Sequence, residues 1–178
     1  MLPLPLPLPV TCTRLATLSE RLLAADSIAD DDRRLLLHTA QRLHRAAQQG
    51  DAAHPLAGRH VAIAADAGTT PAEDLFVRAA TRLGARVSRI APDLLSPDGA
   101  SARNAAARLL PMLYDAVDCH HSEADHALAL QRQSGVPVYL ALGGARHPIR
   151  ALLDDMPGDD IEAALTSLVQ AVLVETLA

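Results

Sequence analysis

The stretch "HVAIAADAGTTPAEDLF", residues 60–76, decides the fold. Its first part, His60-Val61-Ala62-Ile63-Ala64, is an apolar run of strand length; its last part has helical periodicity, and a loop of small residues joins the two. In α/β proteins such a junction is where anions are held, because free backbone N–H groups and the positive end of the helix dipole point there. Here the first helical turn carries Glu73 and Asp74 instead. Thr70-Pro71-Ala72-Glu73 reads as a full capping box, with Thr70 at the N-cap, Pro71 at N1 and Glu73 at N3 folding back on the N-cap amide. The helix terminus satisfies itself, and a carboxylate stands where a phosphate would enter the dipole field.

On either side of this junction, apolar runs alternate with helical patterns. Strands are expected near residues 60–65, 86–90, 116–119 and 136–142, and helices near 71–83, 101–113 and 123–133. That alternation predicts a single-domain α/β fold: a four-stranded parallel sheet with right-handed crossovers and helices on both faces. Gly84 and Gly135 stand at expected helix C-caps. Upstream, Ser27 and Asp30 resemble a capping box opening a long helix that ends at Gly50, with Asp30, Asp31 and Asp32 as a favourable first turn. Leu36, Leu37, Ala40, Leu43 and Ala47 form its apolar face and leave His38 and His44 on the flank. The opening "MLPLPLPLPV" reads as an extended Leu/Pro arm over residues 1–18, since it lacks a leader's basic start and its prolines break helix. Residues 19–178 form the domain, including the closing apolar helix "DDIEAALTSLVQAVLVETLA". That helix is too short and too acidic at its start to span a membrane.

Composition narrows the function. The 178 residues are 49% hydrophobic with a formal charge of −5, two Tyr, one Phe and no Trp. A negative chain without an aromatic platform argues against nucleic acid. Every basic residue is Arg, which rules out lysine Schiff-base chemistry and a phosphate-loop lysine. Cys12 and Cys119 make no disulfide framework, and a reducing cytoplasm is the expected location.

At "LAGRHVAIAADAGTTPAEDLFVRAATRLGARV" the chain resembles the carbamoyl-phosphate domain of the aspartate/ornithine carbamoyltransferase family. The likeness continues through "ARLLPMLYDAV", "SGVPVYLAL" and "HPIRALLDDM", and "TSLVQAVLVETLA" is similar to the family's closing helix. The short Met156–Asp160 segment stands where the family's second, amino-acid-binding domain would lie. The family's phosphate loop, S-T-R-T-R, falls on Thr69-Thr70-Pro71-Ala72-Glu73, so both phosphate-gripping arginines are replaced. A further family arginine after "YDAV" becomes His120, and the carbamoyl-contacting H-P-T-Q becomes His147-Pro148-Ile149-Arg150. Losing two charge-assisted contacts of roughly 1.5–3 kcal/mol each weakens phosphate binding about a hundred-fold to ten-thousand-fold.

The resemblance implies a protein of carbamoyltransferase ancestry that has lost catalysis and acts as a binding or assembly module, with no catalytic residue, cofactor or metal. Thr69, Thr70, His120, His147 and Arg150 are the family-equivalent or replacement anion-binding residues, with Arg146 beside them at the sheet's carboxyl edge. Cys119, His120, His121 and His126 match no common zinc spacing. Left open are a small-anion enzyme or residual carbamoyltransferase with a site shared between subunits, and a structural partner of a full-length carbamoyltransferase. Because the family's carbamoyl-phosphate domains make its trimer contacts, a homotrimer is expected.

Overall fold

The structure, a computed structural model, describes residues 18–23, 27–51, 53–66, 69–95, 99–120 and 122–178. Nearly all of the Leu/Pro arm assigned to residues 1–18 lies outside these residues, as do Cys12 and His121. In chain order the elements are α1 (Asp30–Gln48), β1 (His60–Ala64), α2 (Pro71–Arg82), β2 (Arg86–Ile90), a 3-10 turn (Pro92–Leu94), α3 (Ala100–Leu113), β3 (Ala116–Cys119), α4 (Ala124–Ser134), β4 (Val138–Leu140), a 3-10 segment (Pro148–Asp155) and α5 (Ile161–Leu177). Residues 18–23 are also helical.

The strands form one four-stranded sheet in the order β2-β1-β3-β4, and every pairing is parallel. Strand alternation sends residues to opposite faces. Val61 and Ile63 join the core beneath α1, α2 and α5; Ala62, Ala64, Val117, Cys119 and Val138 pack under α3 and α4. The sheet is therefore covered on both faces, as the βαβ pattern requires. α5 is apolar nearly all round and is buried accordingly, with Leu168, Val169, Val172 and Leu173 fully enclosed. Each such side chain contributes about 1.5–3 kcal/mol. Thr39 of α1 donates to Glu175 at 2.6 Å, and the Gln170 amide donates to the Ala79 carbonyl of α2 at 3.3 Å, so polar bonds fix the register of this apolar helix. Among the described residues, no helix is long and apolar enough to cross a membrane.

Three expectations need correction. α1 is capped by Ala29 without a side-chain hydrogen bond, not by a Ser27–Asp30 box. The helix begins at Asp30 itself, so Ser27 lies outside it, while Asp32 accepts two 2.5 Å bonds from Arg21, which ties the helical residues 18–23 to the start of α1. β4 is shorter than the apolar run 136–142 because side chains take over its ends. Gln131 accepts from Val138 N–H at 2.9 Å, Ser134 from Val136 N–H at 3.2 Å, and Asp118 from Leu142 N–H at 3.1 Å. His44 is not a flank residue: it is 4% exposed and meets Ser167 of α5, while His38 is exposed.

Gly84 follows α2 with φ +88°, and a Cβ there would come within 2.9 Å of His54 Cβ and 3.3 Å of the Ala57 backbone nitrogen. Gly135, at φ +74°, has open space around it. Gly135→Ala should cost only the left-handed backbone penalty, about 1–2 kcal/mol. Gly84→Ala adds a clash to that penalty and should cost measurably more in urea melts; equal losses would show that the 54–57 turn yields freely.

Candidate functional site

The chain leaves β1 for one side of the sheet and returns through β3 to the other, so strand order reverses between these two strands. Ligands of open α/β sheets bind at the carboxyl ends of strands at such a point. Here those ends deliver the loop into α2 from β1 and His120 from β3.

At the α2 terminus, Thr70 has extended backbone (φ −98°, ψ 158°) and its hydroxyl accepts from Glu73 N–H at 3.3 Å. The Thr70 amide also lies where it favours the charged Glu73 carboxylate. The hydroxyl half of the box is formed, a cap worth about 0.5–2 kcal/mol. Pro71 at N1 carries no N–H to offer an anion.

Glu73 does more than cap. It is 2% exposed, and its Oε2 accepts from Arg89 Nη1 of β2 at 2.7 Å. Its Oε1 lies 4.0 Å from His120 Nδ1. On the other side of that ring, His120 Nε2 donates to Asp118 Oδ2 at 3.0 Å. Asp118 is fully buried on β3 and also accepts from Leu142 N–H after β4. Arg89–Glu73 and His120–Asp118 are charge-assisted hydrogen bonds, and the 4.0 Å approach of Glu73 to His120 couples them electrostatically into one network that joins α2, β2, β3 and the loop after β4. A guanidinium does reach the α2 terminus, but it comes from β2 and is already answered by Glu73.

The charges follow from this geometry. Burial opposes the charge on His120, yet the bond to Asp118 and the nearby Asp118 and Glu73 charges outweigh it and raise its pKa. Burial opposes ionisation of Glu73, while Arg89 and the Thr70 amide overcome it and lower its pKa. His147 behaves in the opposite way: burial, only partly offset by Asp118, pushes it down to about 4. Its Nδ1 accepts from Ile149 N–H at 3.2 Å, which places the ring proton on Nε2. His147 is therefore a neutral hydrogen-bond donor near neutral pH, suited to polarising a carbonyl and unsuited to acid–base work. Ala141, beside it, holds φ 47°, a left-handed conformation uncommon for a residue with a Cβ.

The residues singled out from sequence do not share one cavity. His120, His147 and Arg146 line a cleft of about 440 Å³ with Cys119 and Ser122. Thr70 and Arg150 line a second cleft of about 720 Å³, with Asp74 and Arg78. Ala145 borders both, and Thr69 is exposed in the loop before α2. Cys119 is a buried thiol pushed up to about 12 by burial, and His126 is exposed on α4. Among the described residues, no group of three His, Cys, Asp or Glu could hold a metal ion. Sequence reading missed Arg89 and Asp118. Asp118 had a signal, a charge inside the apolar strand Ala116–Cys119; Arg89 had none, being one of two arginines on a half-exposed strand.

A family model described as the aspartate/ornithine carbamoyltransferase, carbamoyl-P binding domain matches residues 20–157. The catabolic ornithine carbamoyltransferase of Bacillus licheniformis is 26% identical over 134 residues, covering 75% of this chain and 40% of that protein. That of Mycoplasma capricolum subsp. capripneumoniae is 27% identical over 135 residues, 76% of this chain and 43% of the relative. Among solved structures, ornithine carbamoyltransferase from Pyrococcus furiosus aligns with a TM-score of 0.59 at 21% identity, over 71% of this chain and 40% of the other. The catalytic subunit of M. jannaschii aspartate transcarbamoylase gives 0.56 at 22% identity, over 71% and 42%. At these identities the structures speak for the fold alone. The chain spans about 40% of the length of these relatives.

The network sets a pH profile whose two limbs have different owners. His120, raised above 6.5, contributes stability in full below that value and loses it as pH rises through the raised pKa. His147, lowered from 6.5 to about 4, costs stability as pH falls between those values. Glu73, lowered from 4.5, loses its contribution as pH falls through its own depressed value. Urea midpoints should peak at about pH 6–7. His120→Gln should flatten the alkaline limb and His147→Gln the acid limb; a limb that persists unchanged would reassign it to another group.

Proposed function

The chain belongs to the aspartate/ornithine carbamoyltransferase family, whose carbamoyl-phosphate-binding domain it carries over residues 20–157, and from that premise we propose that it keeps the domain's architecture without the transferase reaction. The observation that carries this reading is the buried Glu73 at the α2 terminus, its carboxylate bonded to Arg89 and its amide to the Thr70 hydroxyl. An incoming phosphate dianion would meet a carboxylate in the dipole field and would have to break an ion pair to recruit Arg89. A Pro71→Arg, Glu73→Arg double substitution, which restores the family's arginines, runs into the same network. An arginine at 73 would crowd Arg89 and a His120 whose charge is favoured, so the repair should destabilise the protein before it improves phosphate binding. The 3-10 segment passes into α5 through Met156–Asp160 alone, which leaves no room there for an inserted amino-acid-binding domain.

In this reading the domain serves assembly, as a homotrimer or as the partner of a full-length carbamoyltransferase, and it works in the cytoplasm. One observation favours a second reading, a residual small-anion or carbamoyl-group enzyme with a site shared between subunits. The neutral His147 lines the same cleft as His120 and Arg146, and it offers a donor suited to a carbonyl oxygen.

Assays with carbamoyl phosphate and either ornithine or aspartate should give no citrulline or carbamoyl-aspartate above the buffer blank. Turnover abolished by His147→Ala would establish the second reading and end the first. Light scattering coupled to gel filtration should give a mass three times the 18.8 kDa of one chain; a species that stays at one chain's mass at high concentration would remove both the trimer and any shared site.

A further inference from the structure

A separate cavity of about 630 Å³ opens between the end of α1, the end of α2 and the first half of α5. Its lining shares no residue with either cleft at the carboxyl edge. Leu43, Ala47, Leu83 and Ala163 give it apolar walls. Its floor is polar, which is unusual for a seam between packed helices: His44, Thr166, Ser167 and Gln170 are all 7% exposed or less.

The hydrogen-bond directions on this floor follow from carbonyl acceptors, which can only accept. Ser167 donates its single hydroxyl proton to Ala163 O at 2.9 Å and so accepts from His44 Nδ1 at 3.3 Å. His44 is then the Nδ1–H tautomer, and its Nε2 accepts from the Gln48 amide at 3.0 Å. Thr166 donates to Glu162 O at 2.7 Å. The Gln170 amide donates to Ala79 O, which fixes Oε1 as the end facing away from that bond. Every floor hydroxyl and ring proton is spent within the protein. Apart from the second amide protons of Gln48 and Gln170, what is left over is acceptor capacity, chiefly Gln170 Oε1, on a side chain more than nine-tenths buried. No side-chain nitrogen or oxygen among the described residues is both fully occluded and unpartnered, so Oε1, with no bond from the protein, is reachable from the cavity that Gln170 lines.

We propose that this cavity is a second ligand site, for a small, largely apolar molecule carrying one N–H or O–H donor that bonds Gln170 Oε1. Apolar walls with a few placed polar groups are the usual composition of a small-molecule site. An acceptor with no bond from the protein selects for the donor, because a ligand without one leaves the buried oxygen unpaired. The site is independent of the transferase question.

Indole and 1-methylindole test it as a matched pair, equal in body and differing in the single donor. Titrated into the 15N-labelled protein, indole should give saturable shifts at the Gln170 side-chain amide and the Ser167 backbone amide. 1-Methylindole should bind roughly ten-fold more weakly, the effect of one buried hydrogen bond left unmade. Gln170→Leu should weaken indole to a similar degree. Because Gln170→Leu also removes the bond to Ala79 and can disturb folding, Ala47→Phe provides the second variant: it fills the cavity from an exposed position on α1 and should abolish the shifts with the fold intact. Absence of saturable binding by indole, equal affinity for the two indoles, or indole binding undisturbed by Ala47→Phe would each overturn the site.

Discussion

The buried carboxylate of Glu73 is the constraint on which the rest of the carboxyl edge depends. A charge that is 3% exposed at its side chain must be answered inside the protein. Two strands supply the answers, Arg89 from β2 and His120 from the end of β3, while Thr70 holds the Glu73 amide. Arg89 is still 39% exposed, so water shares its charge and the pair itself adds little net stability. Its importance is the alternative: with Arg89 removed, Glu73 would be left buried with one fewer partner, at a cost of about 1–3 kcal/mol or more.

The same bonds explain the architecture around the sheet's switch point. His120 is held from both sides by carboxylates, and Asp118 reaches on to Leu142 N–H. β4 is shortened as a result, and the loop after it is drawn toward β3, with Ala141 in a left-handed conformation. That loop leads to His147, whose position and protonation are therefore set by burial near Asp118 and not by contact with solvent. In a domain of a family named for binding carbamoyl phosphate, the α2 end of this edge is self-neutralised: Glu73, Arg89, His120 and Asp118 face one another, while Arg146 and Arg150 line the two clefts. The dipole at the α2 terminus has likewise been consumed by its own third residue.

α5 and the Glu73 network divide the molecule's polar chemistry between two ends. The network occupies the carboxyl edge, while the buried His44, Thr166, Ser167 and Gln170 form a polar seam under the opposite ends of α1 and α2. Both rest on the same rule, that buried polar atoms are hydrogen-bonded.

What the sequence by itself determined was the periodic framework and the cap at the start of α2. The alternation of apolar runs and helical patterns specified the parallel sheet, its strands and the coverage of both faces, because those periods are properties of the backbone. The Thr70–Glu73 box was equally legible, since its partners lie within one turn. What only the tertiary structure decided were pairings across elements. Asp32 bonds Arg21, and Gln131, Ser134 and Asp118 take the ends of β4. His44 goes to Ser167, and Arg89 meets Glu73 across sixteen residues of chain. Thr70 and Arg150 fall in one cleft while His120 and His147 fall in another. None of these is encoded in spacing, because a side chain's partner from another element is chosen by how helices and strands are laid against each other, and that depends on the packing of the whole core.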